Sequence, residues 1–440
     1  MSFSGSRPYL LTILSITGVK ILNNMRFKYL LPLALSLPLT AGAVDLTWSG
    51  FATLGYAQSD QAYKYQRFID DKGSFNRDSI LGAQLDLKFN QQWGATLQGK
   101  LAPSVKNDSR WDATLSWAFI SWRPVDDWLI RAGKLRLPLM LNTENTDVGA
   151  TFDLARLPME VYSIAPTTDV LGLSISKTWL ADRFDWTLEA YTGEAKTHWR
   201  YYGREIHDTV VSPGSWFLPV DIKSSGLVLT TRDIDNTFRI GVHEVEATRG
   251  GEPTHAEIPF RTIAPGVGYY DLTSGRRVDK LLIPVQTIGA SFKLPADVKV
   301  TAEYARMKVD SLSEGLSRWG AYLAVAKRVG KWTPYVYYAK MKSTDSALEK
   351  YKAINGNTVP ALPAPYNTDL INKSQKLAAD IVVPYDQWTA AIGTSYRLTP
   401  SSLIKAEWAH TQSGIVSSFI DADSANQRLN VFSLSYSLTF

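Results

Sequence analysis

The 440 residues contain no cysteine, only five histidines and, after Val44, no apolar run long enough to cross a bilayer as a helix. Without cysteine neither a disulfide nor a thiolate metal site can form. His198, His207, His243, His255 and His410 lack metal-ligand spacing. Also missing are a Gly-x-Ser-x-Gly elbow, a His-Glu-x-x-His helix, a P-loop and a dinucleotide fingerprint, so no cofactor is implied and the chain does not read as an enzyme. Net charge is scarce too. The formal charge is +5, and Arg7, Lys20, Arg26 and Lys28 lie in an acid-free stretch, residues 1–43, which leaves +1 on the rest. So balanced a chain has no basic footprint for nucleic acid. No repeat, linker or charge block divides residues 44–440, which read as one domain.

Within the leader, Met25-Arg26-Phe27-Lys28 is a short positive segment, Tyr29 to Leu39 an apolar one and Ala41-Gly42-Ala43 a cleavage site. The pattern predicts a signal peptide removed after Ala43, with either translation starting at Met25 or residues 1–24 forming an extended positive segment ahead of it. The apolar stretch is shorter than the roughly 20 residues a spanning helix needs. A chain without spanning helices can enter a membrane only as a closed β-barrel, the other structure that satisfies every backbone group in lipid.

What is present is alternation. Leu81, Ala83, Leu85, Leu87 and Phe89 oppose Gly82, Gln84, Asp86 and Lys88; Trp388, Ala390, Ile392, Tyr396 and Leu398 oppose Thr389, Gly393 and Arg397. A period of two puts one set on each face of a strand, one suited to lipid and one to water. Sixteen such segments are expected, at 45–57, 79–90, 92–102, 111–122, 128–136, 169–180, 182–193, 222–232, 236–247, 284–295, 298–309, 316–329, 331–342, 386–398, 401–412 and 427–440. An even number of antiparallel strands is what single-chain bacterial barrels use. Slippage in 194–283 leaves 14 or 18 open. The connections alternate between tight turns, such as Ala181-Asp182, Ala296-Asp297 and Thr399-Pro400, and long polar loops at 58–78, 103–110, 137–168, 194–221, 248–283, 310–315, 343–385 and 413–426. Short periplasmic turns and longer extracellular loops are the asymmetry of a transmembrane barrel. Phe89, Trp93, Trp122, Trp128, Trp179, Phe184, Trp332 and Tyr396 cluster beside the tight turns, as an interfacial aromatic girdle requires.

A barrel of this size leaves an aqueous lumen, which makes the inner wall the candidate site. Parity points Asp86, Lys88, Lys100, Asp112, Arg131, Arg183, Asp185, Glu189, Arg239, Glu303, Arg318, Arg328 and Arg397 inward, with His243 and His410 as satisfied lumen groups. The most informative connection is 137–168. It follows Gly133-Lys134-Leu135-Arg136 with Leu137-Pro138, then Asn142-Thr143-Glu144-Asn145-Thr146-Asp147-Val148-Gly149, then Arg156-Leu157-Pro158-Met159-Glu160-Val161-Tyr162.

The last strand alternates Asn430, Phe432, Leu434, Tyr436, Leu438 and Phe440 with Val431, Ser433, Ser435, Ser437 and Thr439, and resembles the C-terminal strand of outer-membrane barrels that finish on Phe. Leader, strand order, long loop after the fifth strand and this ending together resemble the 16-stranded trimeric porins of Gram-negative bacteria. The Gly-Lys-Leu-Arg-Leu-Pro and Arg-x-Pro…Glu-Val-Tyr stretches are similar to a little-characterised porin-like group; the Pro-Glu-Phe-Gly-Gly type loop signature of the best-known porins is absent.

The resemblance implies an all-β transmembrane antiparallel barrel in the outer membrane, a loop folded into the lumen, a homotrimer, contact with lipid bilayer and lipopolysaccharide, and recognition of the strand ending in Phe440 by the assembly machinery. It also implies a constriction in which Glu144, Asp147, Asp153 and Glu160 on the loop face Arg131, Arg136, Arg156 and Lys100, with Asp86 on the wall. Such charges screen solutes by size and sign; the alternative is that Arg136 or Arg156 only pins the loop to the wall. The expected function is passive diffusion of small hydrophilic solutes and ions. A substrate-selective channel and a barrel enzyme or adhesin acting through its outer loops are the alternatives.

Overall fold

The computed structural model describes residues 44–204, 214–309 and 314–440; the signal peptide expected at 1–43 lies outside them. Sixteen strands form one closed antiparallel barrel: β1 (Asp45–Ser59), β2 (Ile80–Lys88), β3 (Trp93–Pro103), β4 (Trp111–Trp122), β5 (Trp128–Arg136), β6 (Asp169–Trp179), β7 (Asp185–Gly203), β8 (Gly214–Arg232), β9 (Thr237–Thr248), β14 (Lys280–Leu294), β15 (Val298–Met307), β16 (Arg318–Lys327), β17 (Trp332–Ser343), β18 (Tyr385–Thr399), β19 (Ser402–Ser417) and β20 (Arg428–Thr439). Each pairs with its sequence neighbour, and β20 closes on β1 from Phe51 opposite Thr439 to Ser59 opposite Val431. The count expected from alternation is therefore the count found.

Parity sorts the wall. Leu81, Leu97, Leu171, Leu173, Ile240, Leu323, Val336, Ile392 and Leu434 stand exposed on the outer face, while Ser433, Ser435 and Ser437 are buried on the inner one. An exposed apolar belt this continuous marks a surface made for lipid. At the tight-turn end the girdle forms as expected: Trp93 stacks on Trp122 with centroids 5.5 Å apart, Trp332 packs on Tyr396 at 4.6 Å, and Trp48 meets Phe440 edge-on at 6.0 Å. Gly330, at φ +61°, makes the turn between β16 and β17 in a conformation that side chains disfavour.

The long loops carry structure that alternation does not reveal. β7 and β8 run 19 residues each, well beyond the expected 182–193 and 222–232. The stretch 248–283 holds two small hairpins, β10 (His255–Ala256) with β13 (Arg277–Val278) and β11 (Phe260–Ala264) with β12 (Val267–Tyr270). Between β17 and β18 lie two helices, α2 (Asp345–Gly356), capped by Thr344, and α3 (Thr368–Ile381), capped by Asn367. They cover Ile258, Tyr270 and Val416 with Leu348, Tyr351, Ile354, Ala378 and Val382.

Candidate functional site

Loop 137–168 folds into the barrel because its own sequence is amphipathic. Leu137, Leu139, Met140, Leu154, Leu157, Val161 and Ile164 are buried against Val245, Ile283, Val285, Ala305, Met307, Tyr322, Ala339 and Met341, inward residues of the wall from β9 to β17. A fully buried side chain of this size contributes about 1.5–3 kcal/mol, so this half of the lumen is a packed core. Pro158 precedes a single helical turn, α1 (Met159–Tyr162), which lies on β16 at Gly320.

Polar anchors ring that core. Glu303 on β15 accepts hydrogen bonds from Leu141 N (2.7 Å), Tyr162 Oη (2.6 Å) and Tyr322 Oη (2.7 Å). Glu160 accepts from Gln387 Nε2 (2.7 Å) and Thr389 Oγ1 (2.6 Å) on β18, and Asp153 from Ser395 Oγ (2.7 Å). Arg239 on β9 donates to Met140 O (2.7 Å) and lies 3.3 Å from Glu144. Asp147 takes Lys100 Nζ at 2.8 Å and Arg136 Nη2 at 2.7 Å. Arg156 grips Asp78, in the loop between β1 and β2, through both Nε (2.8 Å) and Nη2.

A closed antiparallel barrel, an apolar outer belt and a loop folded across the lumen are the features against which known proteins can be compared. No family model and no curated protein matches the sequence. Among solved structures, the outer-membrane channel DcaP of Acinetobacter baumannii aligns with a TM-score of 0.50 at 12% identity, over 90% of this chain and 98% of that one. The fold is that of a porin-like outer-membrane barrel. OprB of Pseudomonas putida aligns at 0.49 with 10% identity over 90% and 94% of the two chains, and the outer-membrane protein OmpT of Vibrio cholerae, in a trimer form, at 0.48 with 9% identity over 91% and 100%.

In this porin-like barrel seven of the nine residues expected at the constriction, Lys100, Arg136, Glu144, Asp147, Asp153, Arg156 and Glu160, bond loop to wall or to a neighbouring loop. The other two stay on the wall. Asp86 accepts from Gln84 Nε2 and Thr96 Oγ1, both at 2.7 Å, and Arg131 lies over the Phe119 ring at 5.6 Å without a close ion pair among the described residues. Glu189 on β7 shares the field of Glu144, Arg131 and Arg239. Of these, Arg131, Glu144 and Glu189 are partly exposed, whereas Arg239 is buried beneath the loop.

Three corrections follow. Arg183 and Arg328 lie in turns, just before β7 and just after β16, and not on strand faces. His410 belongs to the outer face, where Nδ1 meets Asn430 Oδ1 at 2.9 Å between Trp388 and Trp408, because parity on β19 groups it with Ile404 and Trp408. His243 does face inward, bonded to Tyr191 Oη at 2.9 Å. Sequence reasoning passed over Lys405 and Glu407. Lys405 is fully buried, donates to Leu154 O (3.0 Å) and sits 4.1 Å over the Phe152 ring; Glu407 accepts from Tyr335 Oη at 2.8 Å. The period of two running through Leu403, Lys405, Glu407 and Ala409 was the signal that places them inside.

The outer mouth is also crossed. Arg200 on β7 donates to Asp108 (3.0 Å) in the loop between β3 and β4 and to Asp421 (2.5 and 2.9 Å) in the loop between β19 and β20, while Arg67 reaches the same Asp108 at 2.8 Å. Arg204 holds Asp380 of α3 at 2.7 Å. β7 and β8 are the seventh and eighth strands of the wall, so their hairpin reaches the β19–β20 loop only by passing over the opening.

Burial raises the Asp147 carboxyl, but Lys100 and Arg136 more than offset it, and its pKa falls below the ordinary 3.8. A lowered carboxyl contributes stability that is present above its unfolded value, about 3.9, and is lost as pH falls through the folded one. The loop is therefore expected to stay anchored at about pH 5 and to loosen only below about pH 4. Current noise through single channels across an acid titration checks this; a transition centred near pH 6 would assign the anchor elsewhere.

Proposed function

We propose that the protein is a water-filled channel for passive diffusion of small hydrophilic solutes and ions, and not an enzyme. The observation that carries this reading is the loop 137–168, held on the wall by seven expected residues so that one side of the lumen is filled, with the partly exposed Arg131, Glu144 and Glu189 beside it. Size exclusion follows from the loop; sign preference follows from those three groups. Arg131 forms no ion pair among the described residues and feels only the field of Glu189, so its removal is expected to shift that preference. A unit charge about 4 Å from a passing ion in water contributes about 1 kcal/mol of opposite sign to a cation and to an anion, or about 30-fold in the cation-to-anion ratio. Reversal potentials of Arg131→Ala in a planar bilayer with a salt gradient are expected to move toward cations by that order. An unmoved reversal potential would remove Arg131 from the filter, and no steady conductance in the unaltered protein would remove the channel.

A second reading, a channel selective for one class of solute, is favoured by the β7–β8 hairpin crossing the mouth; saturable block of the current by a single solute separates it from general diffusion. A homotrimer belongs to the same proposal. It is supported by the low wall at β2 and β5, nine residues each beside 19 in β7 and β8, which leaves that side open to neighbouring copies. The mass of the detergent-solubilised assembly tests it.

A further inference from the structure

A cavity of about 280 Å³ lies between the loop 137–168, the connection from β1 to β2 and the inner wall at β1, β19 and β20. Arg131, Glu144 and Glu189 do not line it. Four cations do, Arg67, Arg77, Arg156 and Lys405, together with two acids, Asp78 and Asp147. Both acids are already held: Asp78 by two nitrogens of Arg156, and Asp147 by Lys100 and Arg136. Arg67 is matched as well, by Asp108 at 2.8 Å.

The remaining two cations have no such match. Arg77 makes no close ion pair among the described residues: its Nε donates to Gln66 Oε1 at 3.1 Å and its Nη2 meets the Met159 sulfur at 2.9 Å. A thioether is a weak acceptor for a guanidinium with five N–H donors. Among neighbouring charges, that of Arg156 acts on Arg77 more strongly than that of Asp78, so the strongest field there is repulsive. Lys405 is fully buried, and among the described residues its ammonium meets only the Leu154 carbonyl at 3.0 Å and the Phe152 ring at 4.1 Å. Asp153, Glu407 and Asp78 act on it through space. Asp78 belongs to Arg156; the other two do not line the cavity and accept from the hydroxyls of Ser395, Tyr335 and Tyr337.

A charge buried without a partner is costly, and an anion entering from the lumen would relieve that cost. Apolar groups stand beside the cations: Ile80, Leu157 and the rings of Phe68 and Phe152, with Arg67 over Phe68 at 4.7 Å. The volume lies just under the roughly 300–1,000 Å³ of small-molecule sites, which leaves room for one small solute. We propose that this cavity is a subsite for a small organic carboxylate, whose charge meets Arg77 and Lys405 and whose apolar body meets Phe152. The inference rests on the channel reading for the route by which the solute arrives, and it names the class of that solute.

The test measures binding to the full barrel in neutral detergent by isothermal titration calorimetry, with benzoate as the probe and benzamide and inorganic phosphate as controls. Benzoate is expected to bind saturably and more tightly than either control. Arg77→Gln and Lys405→Met should each bind it about 10 to 100-fold more weakly, as the loss of a hydrogen bond to a charged group implies. Arg77→Lys, which keeps the charge, should recover part of the loss. Lys196→Ala, which removes an exposed charge that does not line the cavity, should bind normally. No benzoate binding to the unaltered protein, equal binding of benzamide or phosphate, or a loss in Lys196→Ala as large as in Arg77→Gln would each overturn the proposal. The folded band on unheated gels verifies that the variants form barrels, and Arg77→Gln carries the test alone if Lys405→Met does not. Steady conductance without benzoate binding would remove the site and leave the channel; binding without conductance would remove the channel and leave the site.

Discussion

Arg156→Ala is expected to be the most damaging single substitution in the lumen, lowering stability by about 3–5 kcal/mol, the usual cost of breaking a buried ion pair from one side. Arg156 and Asp78 are both nearly buried, with 11% and 13% of their side chains exposed. Burial raises the Asp78 carboxyl, yet the charge and hydrogen bonds of Arg156 hold it below the ordinary range. Removing the guanidinium leaves a buried carboxylate with only the more weakly coupled Arg77 and Lys405 to compensate. The loop 137–168 should then lose its hold on the β1–β2 connection. The measurable result is a lower temperature for loss of the folded band in gel electrophoresis, together with frequent current fluctuations. Arg156→Lys keeps the charge without the two-pronged geometry and should recover part of the loss. A variant as heat-resistant and as quiet as the unaltered channel would show that this pair does not anchor the loop.

Gly320→Val is expected to do the opposite of a charge deletion: it leaves every anchor in place and removes the room for them. A Cβ at Gly320 would lie 1.8 Å from the backbone oxygen of Glu160 and 3.1 Å from Ile164 Cδ1. Backbone cannot give way as a flexible side chain does, so α1 must lift from β16, and overpacking of this kind costs about 1–3 kcal/mol. Glu160 then leaves Gln387 and Thr389, and the packed half of the lumen opens. Larger single-channel conductance with the barrel still folded is the expected outcome. Conductance equal to that of the unaltered protein would mean that the loop does not set the bore.

The wall was legible in the sequence because a membrane enforces the period of two. β4 and β5 fall on the expected 111–122 and 128–136, since lipid on one side and water on the other leave no choice of residue class. That constraint ends where the acyl belt ends. Along Glu194, Lys196, His198 and Arg200 both faces are polar, so the upper half of β7 looked like loop. α2 and α3 were hidden for a different reason: they shield a small apolar cluster outside the barrel, and their caps at Thr344 and Asn367 are short signals in a long polar stretch. At the candidate site the residue types were legible and their partners were not. Arg156 and Glu160 could be picked out from their loop, but Asp78, Gln387 and Thr389 come from strands and loops up to 229 residues away, and only the closed wall brings them together.

That the loop is bonded all around the wall bears on how the molecule is made. Leu154 meets Lys405 across 251 residues, Glu160 meets Thr389 across 229, and Thr53 on β1 meets Ser437 on β20 beside Gly149. A stave vessel cannot receive its stopper from within once the hoops are tight. The seam between β1 and β20 therefore has to shut upon a loop already seated, and the last hydrogen bonds of the wall and the last contacts of the loop form in one cooperative step.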